Sequence, residues 1–200
     1  MSDYGYLLNW HVAAAVLSGV FAVVAMYPYI RDVLRRGETK PNAVSFGLWA
    51  VLGIIAVIAQ FKAGASWSVV IVILMTANCL IIAALALAGY GYREYGMLDF
   101  MCLALAILAI VGWQLTGQPV LAIALSVVAD LFAAIPTIVK AYKVPKSEHV
   151  LGWLLITIAS FFGVMSTEIL DAANLLYPVY ALLMNGTILS LAFFGRRKAR

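Results

Sequence analysis

Long apolar runs, each broken by a short polar turn, alternate along nearly the whole chain. A helix needs roughly 20 apolar residues to cross the hydrocarbon core of a bilayer. Divided in that unit, the pattern predicts helices near 6–30, 43–63, 67–90, 96–115, 119–140, 150–167 and 172–195. The turns between them are too short to hold a domain outside the membrane. The expected class is an all-α integral membrane protein of seven spans.

Composition agrees with the pattern. Hydrophobic residues make up 65% of the chain and charged residues 11%, against about 45–50% and 25% in soluble domains. So few charges cannot cover the surface of a water-soluble fold. Asp3, with no basic cluster before the first apolar run, argues against a cleavable signal peptide, so the first span is expected to be retained. Cys79 and Cys102 lie in apolar stretches and read as buried free thiols. No metal-ligand spacing occurs, and no cofactor is expected.

The net charge of +4 reads as topology, and nucleic acid is not expected as a partner. Arg31, Arg35, Arg36 and Lys40 follow span 1, and Arg93 follows span 3. Lys140, Lys143 and Lys146 follow span 5, and Arg196, Arg197, Lys198 and Arg200 form the tail. With seven spans all twelve share one face and only Lys62 takes the other. The positive-inside rule then puts the N-terminus outside and the C-terminus in the cytoplasm. We expect a prokaryotic inner-membrane protein, with the lipid bilayer as its surroundings and homo-oligomerisation left open.

Two stretches repeat a plan. YPYIRDVLRRGETKPNAVSFGLW, from Tyr27, carries a proline, a basic turn, a second proline and then apolar sequence; IPTIVKAYKVPKSEHVLGWLL, from Ile135, does much the same. Superimposing Pro28 on Pro136 brings Gly47-Leu48-Trp49 close to Gly152-Trp153. Pro28 to Asn78 is 50 residues and Pro136 to Asn185 is 49, with both asparagines midway along their helices. The chain thus divides into a three-helix unit (1–90), a linker helix (91–117) and a second three-helix unit (118–200). An odd number of spans between equivalent helices gives both units the same orientation, a parallel repeat about an axis along the membrane normal.

This 3+1+3 plan resembles the SWEET sugar transporters and the wider PQ-loop superfamily, over nearly the whole chain. The resemblance implies a set of four prolines, Pro28, Pro41, Pro136 and Pro145, at hinges or gates. It also implies a substrate cavity lined by Asn78 and Asn185. The family's Pro-Gln pair is Pro28-Tyr29 here and Pro136-Thr137 in the second unit, and the loops to the second prolines are shorter. Vitamin-precursor transporters of the PnuC type share the seven-helix plan, and KDEL receptors share the fold while binding a peptide signal.

Polar residues inside the spans are the candidates for a site. An unsatisfied amide in hydrocarbon costs several kcal/mol. Asn78 and Asn185 either join helices or line a cavity, and their matched positions favour the cavity. Asn174 lies almost three turns before Asn185 on the same face and is a candidate for an outer vestibule. Asp130 is the one acidic residue deep in a span, a functional candidate by default. Its alternatives are a protonated carboxyl bonded to a neighbouring helix, a proton-coupling group, or a contact for a basic or polyhydroxylated solute. Pro28 and Pro136 read as paired kinks beside an inner gate, and Pro178 as an ordinary kink. Trp49 and Trp153 fit either the aromatic belt or the cavity wall. Trp10, Trp67, Tyr4 and Tyr6 fit the outer belt, His11 a wet outer edge, and Glu168 and Asp171 a solvated turn.

The function expected is transport of a small polar solute, sugar-like or another neutral metabolite, by alternating access through a central cavity as a uniporter. An enzyme is not expected, because no paired carboxylates, Ser-His-Asp set or metal site falls at membrane depth. A retinal protein needs a lysine in the seventh span, and 172–195 has none. The alternative kept is a receptor, trafficking or scaffold protein of the same fold without transport.

Overall fold

The computed structural model describes residues 10–35, 37–62, 68–115, 119–168 and 170–198. It is entirely helical over them. The α-helices are α1 (Trp10–Leu34), α2 (Ala43–Lys62), α3 (Ser68–Leu85), α4 (Met97–Leu115), α5 (Pro119–Lys143), α6 (Val150–Met165) and α7 (Ala172–Lys198). A π turn, Ala86–Tyr90, extends α3, and a single 3-10 turn, Pro145–Ser147, precedes α6. By length and composition four helices can cross a membrane: Trp10–Leu34, Ile73–Tyr90, Ala124–Lys143 and Asn174–Lys198. Ala43–Ile58, Met97–Gly112 and Val150–Met165 are apolar but shorter. The chain is a helical membrane protein. Its outer faces carry apolar side chains such as Val16, Val20, Leu87, Leu108 and Leu183 in exposed positions, which suit lipid and not water.

Helix termini follow local chemistry. Asn42 caps α2, its Oδ1 accepting from Val44 N at 2.9 Å and Ser45 N at 3.2 Å. His149 caps α6 in the same way, its Nδ1 accepting from Gly152 N at 3.0 Å. Asp99, at the start of α4, accepts from Gly96 N at 2.8 Å and from Asn42 Nδ2 at 3.0 Å, tying two helix starts together. Inside the π turn after α3, Gly89 has a φ of 103°, in the left-handed region that glycine adopts without strain.

The two prolines read as kinks, Pro28 and Pro136, sit inside their helices. α1 continues past Pro28 to Leu34, and α5 past Pro136 to Lys143. A proline removes one ladder bond and crowds the preceding turn, but neighbouring helices in a bundle tolerate the loss. The basic turns are correspondingly shorter than the sequence suggests.

Packing is pairwise and crosses the repeat. α3 contacts α1 and α2, and α7 contacts α5 and α6, so the third helix of each triplet is its hub. The triplets meet through α1 against α6 and α2 against α5, while α4 lies chiefly along α5. Small residues make the close approaches. Ala14, Gly19, Ala22 and Ala25 form the buried stripe of α1, and Ser18 Oγ donates to Ala159 O at 2.8 Å across to α6. Cys102, Ala106 and Ala109 of α4, with Ala129, Ala133 and Ala134 of α5, are also buried. Such stripes let helix backbones approach where no hydrophobic effect drives association.

One end of the bundle gathers the turns that carry most of the basic residues, and we call it the basic end. There Lys40 N donates to Ser147 O at 2.9 Å, and Tyr92 N to Pro41 O at 2.9 Å. Asp32 Oδ2 accepts from Thr39 N at 3.1 Å and its carbonyl from Gly37 N at 2.9 Å. A Cβ on Gly37 would fall 2.1 Å from the Asp32 carboxylate, which would have to shift and give up its place against Thr39 N.

Candidate functional site

Between the two triplets lies a cavity of about 690 Å³. α1, α2 and α3 contribute Ala22, Met26, Tyr29, Phe46, Trp49, Gly53, Met75, Thr76, Asn78 and Cys79 to its wall. α5, α6 and α7 contribute Ser126, Asp130, Trp153, Ile156, Ser160, Tyr177, Met184 and Asn185. The wall is therefore mostly apolar and aromatic, with a few polar groups converging on it, the usual make-up of a small-molecule site.

Asn78 and Asn185 reach this cavity from opposite triplets. Their bonding differs. Asn185 Nδ2 donates to Ser160 Oγ at 2.9 Å, joining α7 to α6. Asn78 is 8% exposed, and its Oδ1 has no hydrogen-bond partner among the described residues. The Tyr29 hydroxyl and the Trp49 indole nitrogen, on two other wall residues, are in the same condition. Buried polar groups are nearly always paired, so Asn78 Oδ1 and Tyr29 Oη are open to a partner from outside the described residues.

Asp130 enters from α5, is 6% exposed, and accepts from the Tyr180 hydroxyl at 2.6 Å. Tyr177, one turn earlier on α7, also interacts with this carboxylate, and the Trp49 indole lies close by without a hydrogen bond of good geometry. A carboxylate, two phenols and an indole thus meet at one side of the cavity. The tyrosines were not anticipated, although their three-residue spacing on span 7 puts both on one helix face.

Toward the basic end the cavity has an aromatic floor. Tyr29 and Phe46 lie 5.6 Å apart between ring centroids, Phe46 and Trp49 5.1 Å, and Trp49 and Trp153 6.4 Å. Trp49 and Trp153 are thus wall residues, and the aromatic-belt alternative does not describe them. Beneath this floor is a fully enclosed ion pair. Lys140 Nζ lies 2.7 Å from Glu148 Oε1, with side chains 1% and 0% exposed. The second carboxylate oxygen accepts from Trp153 Nε1 at 2.7 Å, and Lys140 Nζ also donates to the carbonyl of Lys40. Arg196 Nη2 donates to Lys146 O at 2.9 Å and Glu148 O at 2.8 Å, and its Nη1 reaches Glu38 at 3.2 Å. Charge counting treats Lys140 as one more surface cation, and the fold corrects that. The signal available was Glu148, a lone acid within KVPKSEH.

The remaining candidates lie elsewhere. Asn174 is exposed at the start of α7, where Asp171 Oδ1 accepts from both its amide nitrogen (2.7 Å) and its backbone N–H (2.8 Å). It serves a helix start and is not part of the cavity wall. Pro28 is half-buried on α1, and Pro136 is buried against a small polar crevice shared with Asn42, Asp99 and Lys140. Pro41 precedes the α2 cap, and Pro145 opens the 3-10 turn and abuts Gly195. All four prolines sit at the basic end, outside the wall. Trp10 is exposed and its ring lies tilted against His11, with centroids 3.6 Å apart. Glu168 and Asp171 are exposed. Trp67, Tyr4, Tyr6, Arg36 and Arg200 lie outside the described residues.

The caps also adjust the repeat register. Asn42 and His149 differ by 107 positions, as do Asn78 and Asn185. That offset makes Phe46 the counterpart of Trp153, with Trp49 facing Ile156. Asp130 and the Lys140–Glu148 pair have no equivalent in the first triplet, where Ala22, or Val23 in the adjusted register, stands for Asp130. Among the described residues no group of three or more His, Cys, Asp or Glu is placed to hold a metal. Comparison with known families, with characterised proteins and with solved structures finds no match to this chain.

Proposed function

We propose that this protein carries a small polar solute across a membrane through the cavity between its two triplets. The observation that carries the reading is the pair of polar atoms Asn78 Oδ1 and Tyr29 Oη, which have no hydrogen-bond partner among the described residues, on the wall of one cavity. Each offers a hydrogen bond that the described protein groups leave unused, and a solute would complete them. In this reading all seven helices span the bilayer, the basic end is cytoplasmic and the N-terminus external, following the charge asymmetry. In this reading the aromatic floor and the Lys140–Glu148 layer close the cavity toward the basic end. Alternating access then consists of the triplets rocking along the α1–α6 and α2–α5 seams, with Pro28 and Pro136 bending. The resemblance to SWEET-like 3+1+3 transporters supports the same reading.

Purified protein in proteoliposomes, offered radiolabelled sugars, nucleosides, amino acids and amines, should show saturable flux of at least one class. Folded, correctly inserted protein that moves none of them would favour the receptor alternative. One feature of the site serves that alternative equally well, because a receptor pocket also needs unused polar atoms.

A further inference from the structure

We infer that the solute carries a positive charge on a compact, apolar-skinned body, as an alkylammonium or arylammonium ion does. The inference rests on the cavity being a solute site and narrows its chemistry. It revises the neutral solute that the two amides alone suggest.

The argument begins with charge. Asp130 brings a carboxylate to the wall, while no Lys, Arg or His is among the described residues lining the cavity. The nearest buried ammonium, Lys140, is committed to Glu148 and to the Lys40 carbonyl below the floor. The 2.6 Å bond from Tyr180 to Asp130 is in the range of charge-assisted O–H···O⁻ bonds. A carboxylate at membrane depth calls for a counter-charge, and the protein's described wall supplies none. A cationic solute would.

The second argument is the surface around that carboxylate. Tyr29, Phe46, Trp49, Trp153 and Tyr177 put five aromatic rings on one cavity. Ring faces attract a desolvated cation through their quadrupole, and alkylated ammonium ions are the ligands that such cages suit best. A polyhydroxylated solute would instead need many donors and acceptors, and Met26, Met75, Ile82, Ile156 and Met184 fill much of the remaining wall. Asn78 Oδ1, an acceptor without a partner among the described residues, fits an N–H or O–H on the same cation.

The test measures binding of choline, benzyltrimethylammonium and 3,3-dimethylbutanol to purified protein by calorimetry. The last is the neutral isostere of choline, with a quaternary carbon in place of the nitrogen. At least one cation should bind, and choline should bind about tenfold or more tighter than the isostere, the scale of a desolvated cation–π and charge contact. Asp130→Asn should erase that preference and Asp130→Glu should retain it. Binding of neither cation, equal binding of choline and its isostere, or an undiminished preference in Asp130→Asn overturns the inference. If Asp130→Asn does not fold, the isostere comparison on the unaltered protein decides. Proteoliposome flux separates the two readings. Saturable sugar flux that neither cation inhibits leaves transport standing and sinks the cationic solute. Isostere-discriminating cation binding without flux of any solute sinks transport and keeps the cation site.

Discussion

At the scale of single residues, the two asparagines should behave unequally. Asn185 spends its amide nitrogen on Ser160, so Asn185→Ala loses a helix–helix bond, worth about 0.6 kcal/mol on average in membrane proteins. Asn78 Oδ1 has no such partner among the described residues, so Asn78→Ala should cost less stability and fall mainly on solute affinity. Losing one or two hydrogen bonds of about 0.5–1.5 kcal/mol each predicts affinity lower by roughly three- to a hundred-fold. Paired melting and binding curves check this; an Asn78→Ala protein with unaltered affinity would refute a direct contact. The His149 cap gives a pH prediction. Burial, and secondarily Arg196, pushes its imidazole below the ordinary value of about 6.5, while Asp32 opposes them. Only the neutral ring accepts from Gly152 N. The native state therefore binds fewer protons than the unfolded chain, so the cap's contribution is complete above pH about 6.5 and fades as pH falls through the lowered native value. Melting temperature should drop on acidification across that window, and His149→Asn, which caps without titrating, should flatten the drop. An equal drop in His149→Asn would assign the pH dependence to another group.

At the scale of elements, the instructive feature is the layer beneath the aromatic floor. Removing one partner of an enclosed ion pair leaves an uncompensated charge, at a cost of about 3–5 kcal/mol. Lys140→Met alone should therefore destabilise strongly. Adding Glu148→Gln should recover much of the loss, because glutamine still accepts from the Trp153 indole. A double-mutant cycle by thermal unfolding measures the coupling, and additive losses would show that the pair is not a unit. The sequence made the helices legible because bilayer thickness imposes a length on apolar runs, and the seven observed helices fall close to the predicted seven. It did not reveal that α1 runs on to Leu34 and α5 to Lys143, beyond the predicted 30 and 140, because tertiary neighbours replace the ladder bonds lost at Pro28 and Pro136. The matched positions of Asn78 and Asn185 on two helices were readable from spacing alone. Tyr177, Tyr180 and the burial of Lys140 were not, since each depends on which helix lies opposite, and a one-dimensional pattern does not carry that.

At the scale of the whole molecule, charge asymmetry and packing make one joint prediction. The turns after α1, α3 and α5 and the end of α7 all gather at one end, as the Lys40–Ser147, Tyr92–Pro41 and Arg196–Glu148 bonds require. If that end is cytoplasmic, a reporter fused after Arg200 will be cytoplasmic and one fused before Met1 external. Termini on the same side of the membrane would dismiss the seven-span topology.

The offset of 107 positions that relates the two caps and the two asparagines has a consequence for ancestry. Those features would survive in a homodimer of a single triplet, which would present two identical halves to one central space. Asp130, the Tyr177–Tyr180 pair and the Lys140–Glu148 layer would not, because only the second half holds them. A molecule built from two copies of the first half would keep the symmetric amides and lose both the carboxylate and the enclosed ion pair. One built from two copies of the second would face two carboxylates across the same space. Unlike halves in one chain allow a single negative charge to sit off-centre, and under the proposed function they would give a bound solute one preferred orientation instead of two.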